Sequence, residues 1–171
     1  MKRIAIFIMA ALFSQLAAAQ IHNFSVTDSG KIYWQKVFED PRPEDDIISA
    51  ALATGSFSSL IENGGRVSFH MDPRPVDVVS LGYKRMSVPI YVSTYDFSGQ
   101  VTLQFQEGRY RVTVTDIILI KTEEGTSETI ETWAVSRGQI SKIFSGVPSE
   151  LYDKYLTDMF SPQSSPLDTD W

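Results

Sequence analysis

The sequence has 171 residues, with 15 lysines and arginines against 21 aspartates and glutamates, no cysteine and two histidines. This length suits one domain, and a hydrophobic content of 43% is typical of a globular chain rather than a collagen-like or wholly disordered one. The net charge of −6 argues against nucleic-acid binding, which needs a basic surface. A chain without cysteine has no disulfide scaffold, thiol nucleophile or thiolate zinc site.

The first 19 residues have the pattern of a signal peptide. Lys2 and Arg3 precede an apolar run over residues 4–16, and residues 17–19 are alanines, small enough for signal peptidase. The run is shorter than the roughly 20 apolar residues of a membrane anchor. We therefore predict cleavage before Gln20 and a periplasmic or secreted protein that does not span the membrane. Loss of the two basic residues takes the net charge from −6 to −8.

Two strands and a helix are predicted for the start of the mature chain. Residues 24–27 and 31–39 are typical of strands, and residues 28–30 form a turn cluster between them. Pro43, followed by three acidic residues, indicates a helix start, and Gly55 is a natural helix end. The apolar stripe of this helix is Ile47, Ile48, Ala51 and Leu52.

A hairpin and an extended segment are predicted next. Residues 57–62 and 66–71 pair around the Asn-Gly sequence that follows the first of them. The two prolines within residues 72–75 are expected to end the second strand, because proline lacks the backbone N–H that a ladder needs. Residues 86–93 are predicted to be extended, with Pro89 at an edge or a bulge.

Residues 101–106 and 109–115 form the best-defined strand pair, with Glu107 and Gly108 as a two-residue loop. In this register the numbers of paired residues add to 215. One face then carries Val101, Leu103, Phe105, Tyr110, Val112 and Val114. The other face carries Thr102, Gln104, Gln106, Arg109, Arg111 and Thr113. A slip of one residue would mix the two sets, so the register predicts a buried apolar face and an accessible polar face.

The remaining chain adds a strand, a helix and a tail. Residues 117–120 are apolar without alternation, which indicates burial on both sides, and residues 128–135 are predicted to be a strand. Pro148 opens a helix with one apolar stripe. Residues 161–171 contain three serines, two prolines and two aspartates and are predicted to be a disordered acidic tail, which leaves residues 20–160 as one domain. The order of elements predicts a two-layer α+β fold, in which one layer is an antiparallel β-sheet and the other is made of helices packed on one face of the sheet. The other face of the sheet meets water.

Several segments resemble a bacterial family of exported proteins. They are residues 31–39 (KIYWQKVFE), 82–83 (GY), 86–93 (MSVPIYVS), 96–99 (DFSG) and 107–114 (EGRYRVTV). The family is known as domain of unknown function 4468 and has a TBP-like fold. The resemblance spans roughly the part of the chain from Val26 to Leu119, and it implies a β-α-β-β-β-β-α domain behind a signal peptide. It implies no activity and no functional residue.

A small hydrolase is the enzymatic alternative. It would use His70 and an acidic partner such as Asp72 as an acid–base couple in a deep pocket. The other histidine, His22, lies beside the predicted cleavage site and is expected to be mobile. The sequence contains no Gly-x-Ser-x-Gly elbow, His-Glu-x-x-His motif, phosphate-binding loop or calcium loop, and we expect no metal or cofactor.

A non-catalytic binding or interaction module is the favoured interpretation. Its candidate surface is the polar sheet face with Gln104, Gln106, Arg109 and Arg111, and its partner would be a protein or small ligand of the cell envelope. A third interpretation is a structural role in an envelope assembly, which gel filtration of the mature protein would test.

Overall fold

A computed structural model describes residues 21–161, so residues 1–20, which include the predicted signal peptide, and residues 162–171 lie outside the described part. Its strands are β1 (Phe24–Val26), β2 (Ile32–Glu39), β3 (Phe57–Asn63), β4 (Arg66–Pro75), β5 (Asp96–Gln106), β6 (Arg109–Lys121), β7 (Thr126–Thr129), β8 (Val135–Ser136) and β9 (Gln139–Ile140). Its α-helices are α1 (Glu44–Ala53), α2 (Ile90–Thr94), α3 (Glu131–Ala134) and α4 (Val147–Phe160).

The main sheet has seven antiparallel strands in the order β1-β2-β6-β5-β4-β3, and β7 pairs with β6 beyond the end of β2. Strands β8 and β9 form a separate small hairpin. The long strands and the two long helices follow one another as β2-α1-β3-β4-β5-β6-α4. The predicted α+β class is confirmed, and this order is the β-α-β-β-β-β-α order that the family resemblance implied.

The two long helices bury their apolar side chains with one face of the sheet. The buried apolar residues of these helices are Ile47, Ile48, Leu151, Tyr152, Leu156 and Phe160. In β4 the alternate residues Val67, Phe69 and Met71 are buried with them, because successive side chains of a strand point to opposite faces. The side chains of β2, β4, β5 and β6 that point the other way are exposed or half-buried around the β5–β6 turn. We call this second surface the open face.

Phe160, at the end of α4, ties the helix layer to three strands. Its ring centroid lies 6.3 Å from that of Trp34 in β2 and 5.5 Å from that of Phe57 in β3. Its backbone carbonyl accepts a hydrogen bond from the hydroxyl of Tyr110 in β6. Aromatic pairs at such separations contribute about 0.5–1.5 kcal/mol each beyond the area that they bury.

The prediction of an extended segment over residues 86–93 was wrong. The chain forms a 3-10 helix at Arg85–Ser87 and then α2. Pro89 directly precedes α2 with φ −57°, a backbone angle that suits a helix start. The apolar run therefore reflects burial of Tyr91 and Val92 in the core rather than pairing in a sheet.

The prediction of one continuous strand over residues 128–135 was wrong, because a helix interrupts it. Strand β7 ends at Thr129 and α3 begins two residues later. Ile130 and Ala134 are both fully buried, and their spacing of four residues is that of one helical face. A short apolar run bounded by turns does not distinguish these two structures.

The β3–β4 hairpin turns one residue later than predicted. Asn63 pairs with Arg66, and the loop is Gly64 and Gly65, with φ of 57° and 76°. Both angles lie in the left-handed region, as a two-residue hairpin loop requires.

Two further expectations, one about a strand end and one about burial, were wrong. Strand β4 does not end at residues 72–75, because a bulge absorbs Asp72 and the following proline and Arg74 then pairs with Phe97. In β6, residues 117–120 are not buried on both sides: Ile117 and Leu119 are fully buried, and the two isoleucines that alternate with them are half-buried.

Phe160→Ala should lower the free energy of unfolding by about 3–5 kcal/mol, because it removes a buried ring that packs on two strands. Ile143→Ala is the matched control, since the Ile143 side chain is 72% exposed. This change should cost less than about 0.5 kcal/mol. Urea denaturation of both variants measures the difference, and equal losses would contradict the packing described for α4.

Candidate functional site

The β5–β6 hairpin has the predicted register. The six pairs from Val101 with Val114 to Gln106 with Arg109 all occur, and Gly108 in the loop has a φ of 71°. Leu103, Tyr110 and Val112 are buried and Phe105 is partly buried. Gln106, Arg109 and Arg111 are exposed and Gln104 is half-buried. The separation of the two faces is therefore confirmed, and the binding role of the polar set stays a prediction.

Pairing with β4 brings one more arginine to the predicted residues. Arg66 is the cross-strand partner of Gln104, which in turn pairs with Arg111. We call Arg66, Gln104, Gln106, Arg109 and Arg111 the arginine patch. It lies on the open face next to the β5–β6 turn and carries three positive charges in a chain whose net charge is −6.

The side-chain oxygens of Gln104 and Gln106 already accept hydrogen bonds from arginines of the patch. The side-chain oxygen Oε1 of Gln106 accepts hydrogen bonds from Arg109 Nε at 3.0 Å and from Arg109 Nη2 at 2.6 Å. The Gln104 side-chain oxygen, with the amide turned to satisfy both partners, accepts from Arg66 Nε at 2.9 Å and from Nη2 at 3.2 Å. Amide NH₂ and guanidinium N–H groups donate hydrogen bonds and do not accept them. The patch therefore presents hydrogen-bond donors and positive charge.

A concavity of about 440 Å³ lies over the same residues. It is lined by Val37, Gln104, Phe105, Gln106, Arg109, Tyr110 and Arg111. All four residues predicted from the sequence thus border one depression, whose size falls within the usual range for ligand sites. Val37, which is 47% exposed, gives it an apolar wall.

An ion pair between the buried Asp40 and the half-buried Arg42 lies at the turn beside the patch. The Asp40 carboxylate accepts from the Arg42 guanidinium through both oxygens, the shortest contact being 2.7 Å, and the Asp40 backbone N–H donates to the carbonyl of Gly108 at 2.9 Å. Hydrogen bonding from Arg42 lowers the pKa of Asp40 below its usual 3.8, against the opposing effect of burial. Asp40 therefore stays ionised and fixes the end of β2 to the loop that carries Arg109.

Tyr110 anchors the β5–β6 hairpin on the buried side of the sheet. Burial raises the pKa of Tyr110 to about 12, so its hydroxyl is neutral at physiological pH. It donates to the carbonyl of Phe160 on the buried side, while its chain neighbours Arg109 and Arg111 point to the open face. The patch is thus built on a rigid strand rather than on a loop.

The two histidines lie outside this patch. Nδ1 of His70 lies 3.2 Å from the Gln100 amide nitrogen, and Asp72 accepts from the Ser58 hydroxyl at 2.7 Å. The hydrogen bonds described for His70 and Asp72 thus go to different partners, so these two residues do not form the acid–base couple suggested for the hydrolase alternative. His22, expected to be mobile, instead places Nδ1 2.9 Å from the Ser149 hydroxyl.

Arg66 and Val37 are the residues that the sequence reasoning missed. Arg66 alternates with Ser68 and His70 along β4, which indicates that all three lie on the polar face of the strand. The position of Arg66 beside Gln104, however, depends on the register between β4 and β5. Twenty residues, 76–95, separate those strands. A connection of that length does not fix a register, unlike the two-residue loop between β5 and β6.

Within residues 21–161, no three potential metal-ligating side chains come together, and no helix is long and apolar enough to span a membrane. The fold and the patch define an α+β protein with a donor-rich sheet face. The chain matches no known protein-family profile and no curated protein.

Solved structures that are similar to this chain include a DUF4468 family protein and a TBP-like protein. The DUF4468 family protein, from Bacteroides ovatus ATCC 8483, is 14% identical, with a TM-score of 0.47 over 79% of this chain and 85% of its own. The TBP-like protein, from Parabacteroides distasonis ATCC 8503, is 12% identical, with a TM-score of 0.46 over 78% of this chain and 93% of its own. These descriptions name a family and a fold, and no activity.

Asp40→Asn should lower the free energy of unfolding at neutral pH by about 1.5–3 kcal/mol, the usual range for hydrogen bonds to charged groups. Because the pKa of Asp40 is lowered by folding, its contribution is present above about pH 3.8 and disappears as the pH falls through the folded-state pKa. The difference between the wild-type protein and the variant should therefore shrink on acidification. Urea denaturation from pH 7 to pH 3 measures it.

Glu128→Gln is the matched control, because it removes a carboxylate from an exposed position in β7. It should change stability by less than about 0.5 kcal/mol at neutral pH. An Asp40→Asn effect that is equally small, or that grows on acidification, would refute the stated role of the ion pair.

Proposed function

We propose that this protein is an exported, non-catalytic binding module whose binding surface is the arginine patch. The observation that carries this proposal is the coincidence of four polar residues chosen from the strand register with one concavity on the open face. Arg109 and Arg111 are exposed there, so a ligand reaches them without rearrangement of the core.

The rigidity of the surface supports binding rather than chemistry. The patch has donors and positive charge, but its polar groups are arginines and amides, which are poor proton acceptors and donors near neutral pH. The Asp40–Arg42 pair and the buried Tyr110 hold the hairpin in place. A fixed array of donors recognises a ligand at a lower entropic cost than a mobile one.

Export is the second part of the proposal, and its support comes from the sequence. The basic start, apolar run and alanines of the first 19 residues have the order of a cleaved signal peptide. The mature protein would begin at Gln20 and work in the periplasm or outside the cell. Its partner would be a protein or small ligand of the envelope.

Replacing Arg109 and Arg111 together with alanine should reduce recovery of the partner from an envelope fraction by about tenfold or more. Hydrogen bonds to charged groups contribute about 1.5–3 kcal/mol each, and 1.4 kcal/mol corresponds to a factor of ten. The measurement is a quantitative pull-down with the purified exported protein as bait. Mass spectrometry of the bait also gives its amino terminus, which we expect at Gln20.

The matched control is Arg85→Ala with Arg137→Ala, which removes two exposed arginines outside the patch and changes the net charge equally. It should leave recovery unchanged. Equal recovery of the same partners by both double variants, with unchanged thermal unfolding, would contradict the proposed role of the arginine patch.

A further inference from the structure

The arginine patch requires a partner with acceptors and negative charge. The side-chain oxygens of Gln104 and Gln106 already accept from Arg66 and Arg109, so a ligand that brings donors finds no free partner there. Among the described residues, the Arg111 guanidinium has no hydrogen-bond or ion-pair partner. A carboxylate satisfies such a guanidinium with two parallel hydrogen bonds.

The acidic residues beside the patch do not supply a carboxylate partner for Arg111. Glu39 is the cross-strand neighbour of Arg109, and Glu107 lies in the loop. The cross-strand neighbours of Arg111 are Val37 and Gln104, which carry no charge. Arg111 is therefore the strongest anchor for an incoming carboxylate, with Arg109 beside it.

The spacing of these two arginines fits an extended acidic segment. Arg109 and Arg111 alternate along β6, which places their Cα atoms about 7 Å apart on one face. An extended peptide with acidic residues at alternate positions presents its carboxylates at the same separation of about 7 Å.

The chain itself contains such a segment beyond α4. Asp168 and Asp170 flank Thr169, and they lie seven and nine residues after Ser161, the last described residue. Ser161 follows Phe160, whose carbonyl binds the Tyr110 hydroxyl directly beneath the patch. Seven extended residues reach about 23 Å, whereas packed layers are separated by about 10 Å. The acidic pair can therefore pass the end of the sheet and reach the open face.

We propose that residues 162–171 bind the arginine patch of their own chain, with Asp168 and Asp170 pairing with Arg111 and Arg109. This inference rests on the proposed function because both use the same face. An external partner must then displace the segment, so that partner must also carry acidic groups. Exposed ion pairs contribute only about 0.2–1 kcal/mol each, so the contact depends on the high effective concentration of a tethered segment and weakens with salt.

Spin labelling tests the contact in the full exported chain. Because the sequence has no cysteine, Trp171→Cys gives a single attachment site, and Ser165→Cys gives a second one that keeps Trp171. We expect the label at either site to broaden the amide signals of residues 104–106 and 109–111 in low salt. Signals of the distant β8–β9 turn, around Gly138, should keep their intensity. The broadening should fall at least severalfold in 0.5 M NaCl.

The matched variant adds Asp168→Asn and Asp170→Asn to the labelled chain, and it should lose the selective broadening. A mixture of labelled unenriched chain and unlabelled enriched chain should show none, since the contact is within one molecule. Uniform broadening, persistence in the asparagine variant, or broadening in the mixture would each overturn the proposal. If these results occur while the Arg109 and Arg111 variant still loses its partner, the proposed function stands and this inference fails.

Discussion

The antiparallel register between β5 and β6 is the constraint on which the rest of the structure depends. These two strands lie in the middle of the sheet: β2 pairs with β6, β4 pairs with β5, and β3 pairs in turn with β4. The register points Leu103 and Val112 into the core, where α4 and α1 pack, and it points Gln104 and Arg111 to the open face. Core and candidate site are therefore two consequences of one pairing, since a shift of one residue would exchange their side chains.

The sequence predicted this hairpin because three independent signals agreed. The Glu107-Gly108 loop is short, Gly108 accommodates the positive φ that it requires, and the flanking residues alternate without interruption. Agreement between turn chemistry and binary pattern is what makes a local prediction reliable. The same agreement predicted α1 from Pro43 to Gly55, and α4 from Pro148 onward.

The sequence failed where burial and pairing produce the same pattern. Residues 90–94 (IYVST) include three β-branched residues and a tyrosine, a composition typical of a strand, and only the packing of Tyr91 and Val92 decides for a helix. The bulges in β4 and β6 were also missed, because they shift alternation by one residue without a distinctive sequence signal. For the site, the four residues of one hairpin were found together, whereas Arg66 required the pairing of strands that are twenty residues apart.

A scan of single cysteines across the hairpin tests the central register most directly, because the natural sequence contains none. Gln104→Cys and Arg111→Cys on the open face should react with a maleimide at least about tenfold faster in the folded protein than Leu103→Cys and Val112→Cys in the core. After unfolding in urea, all four should react at similar rates. A reversed order in the folded protein, or equal rates for the two pairs, would contradict the register and the binding face built on it.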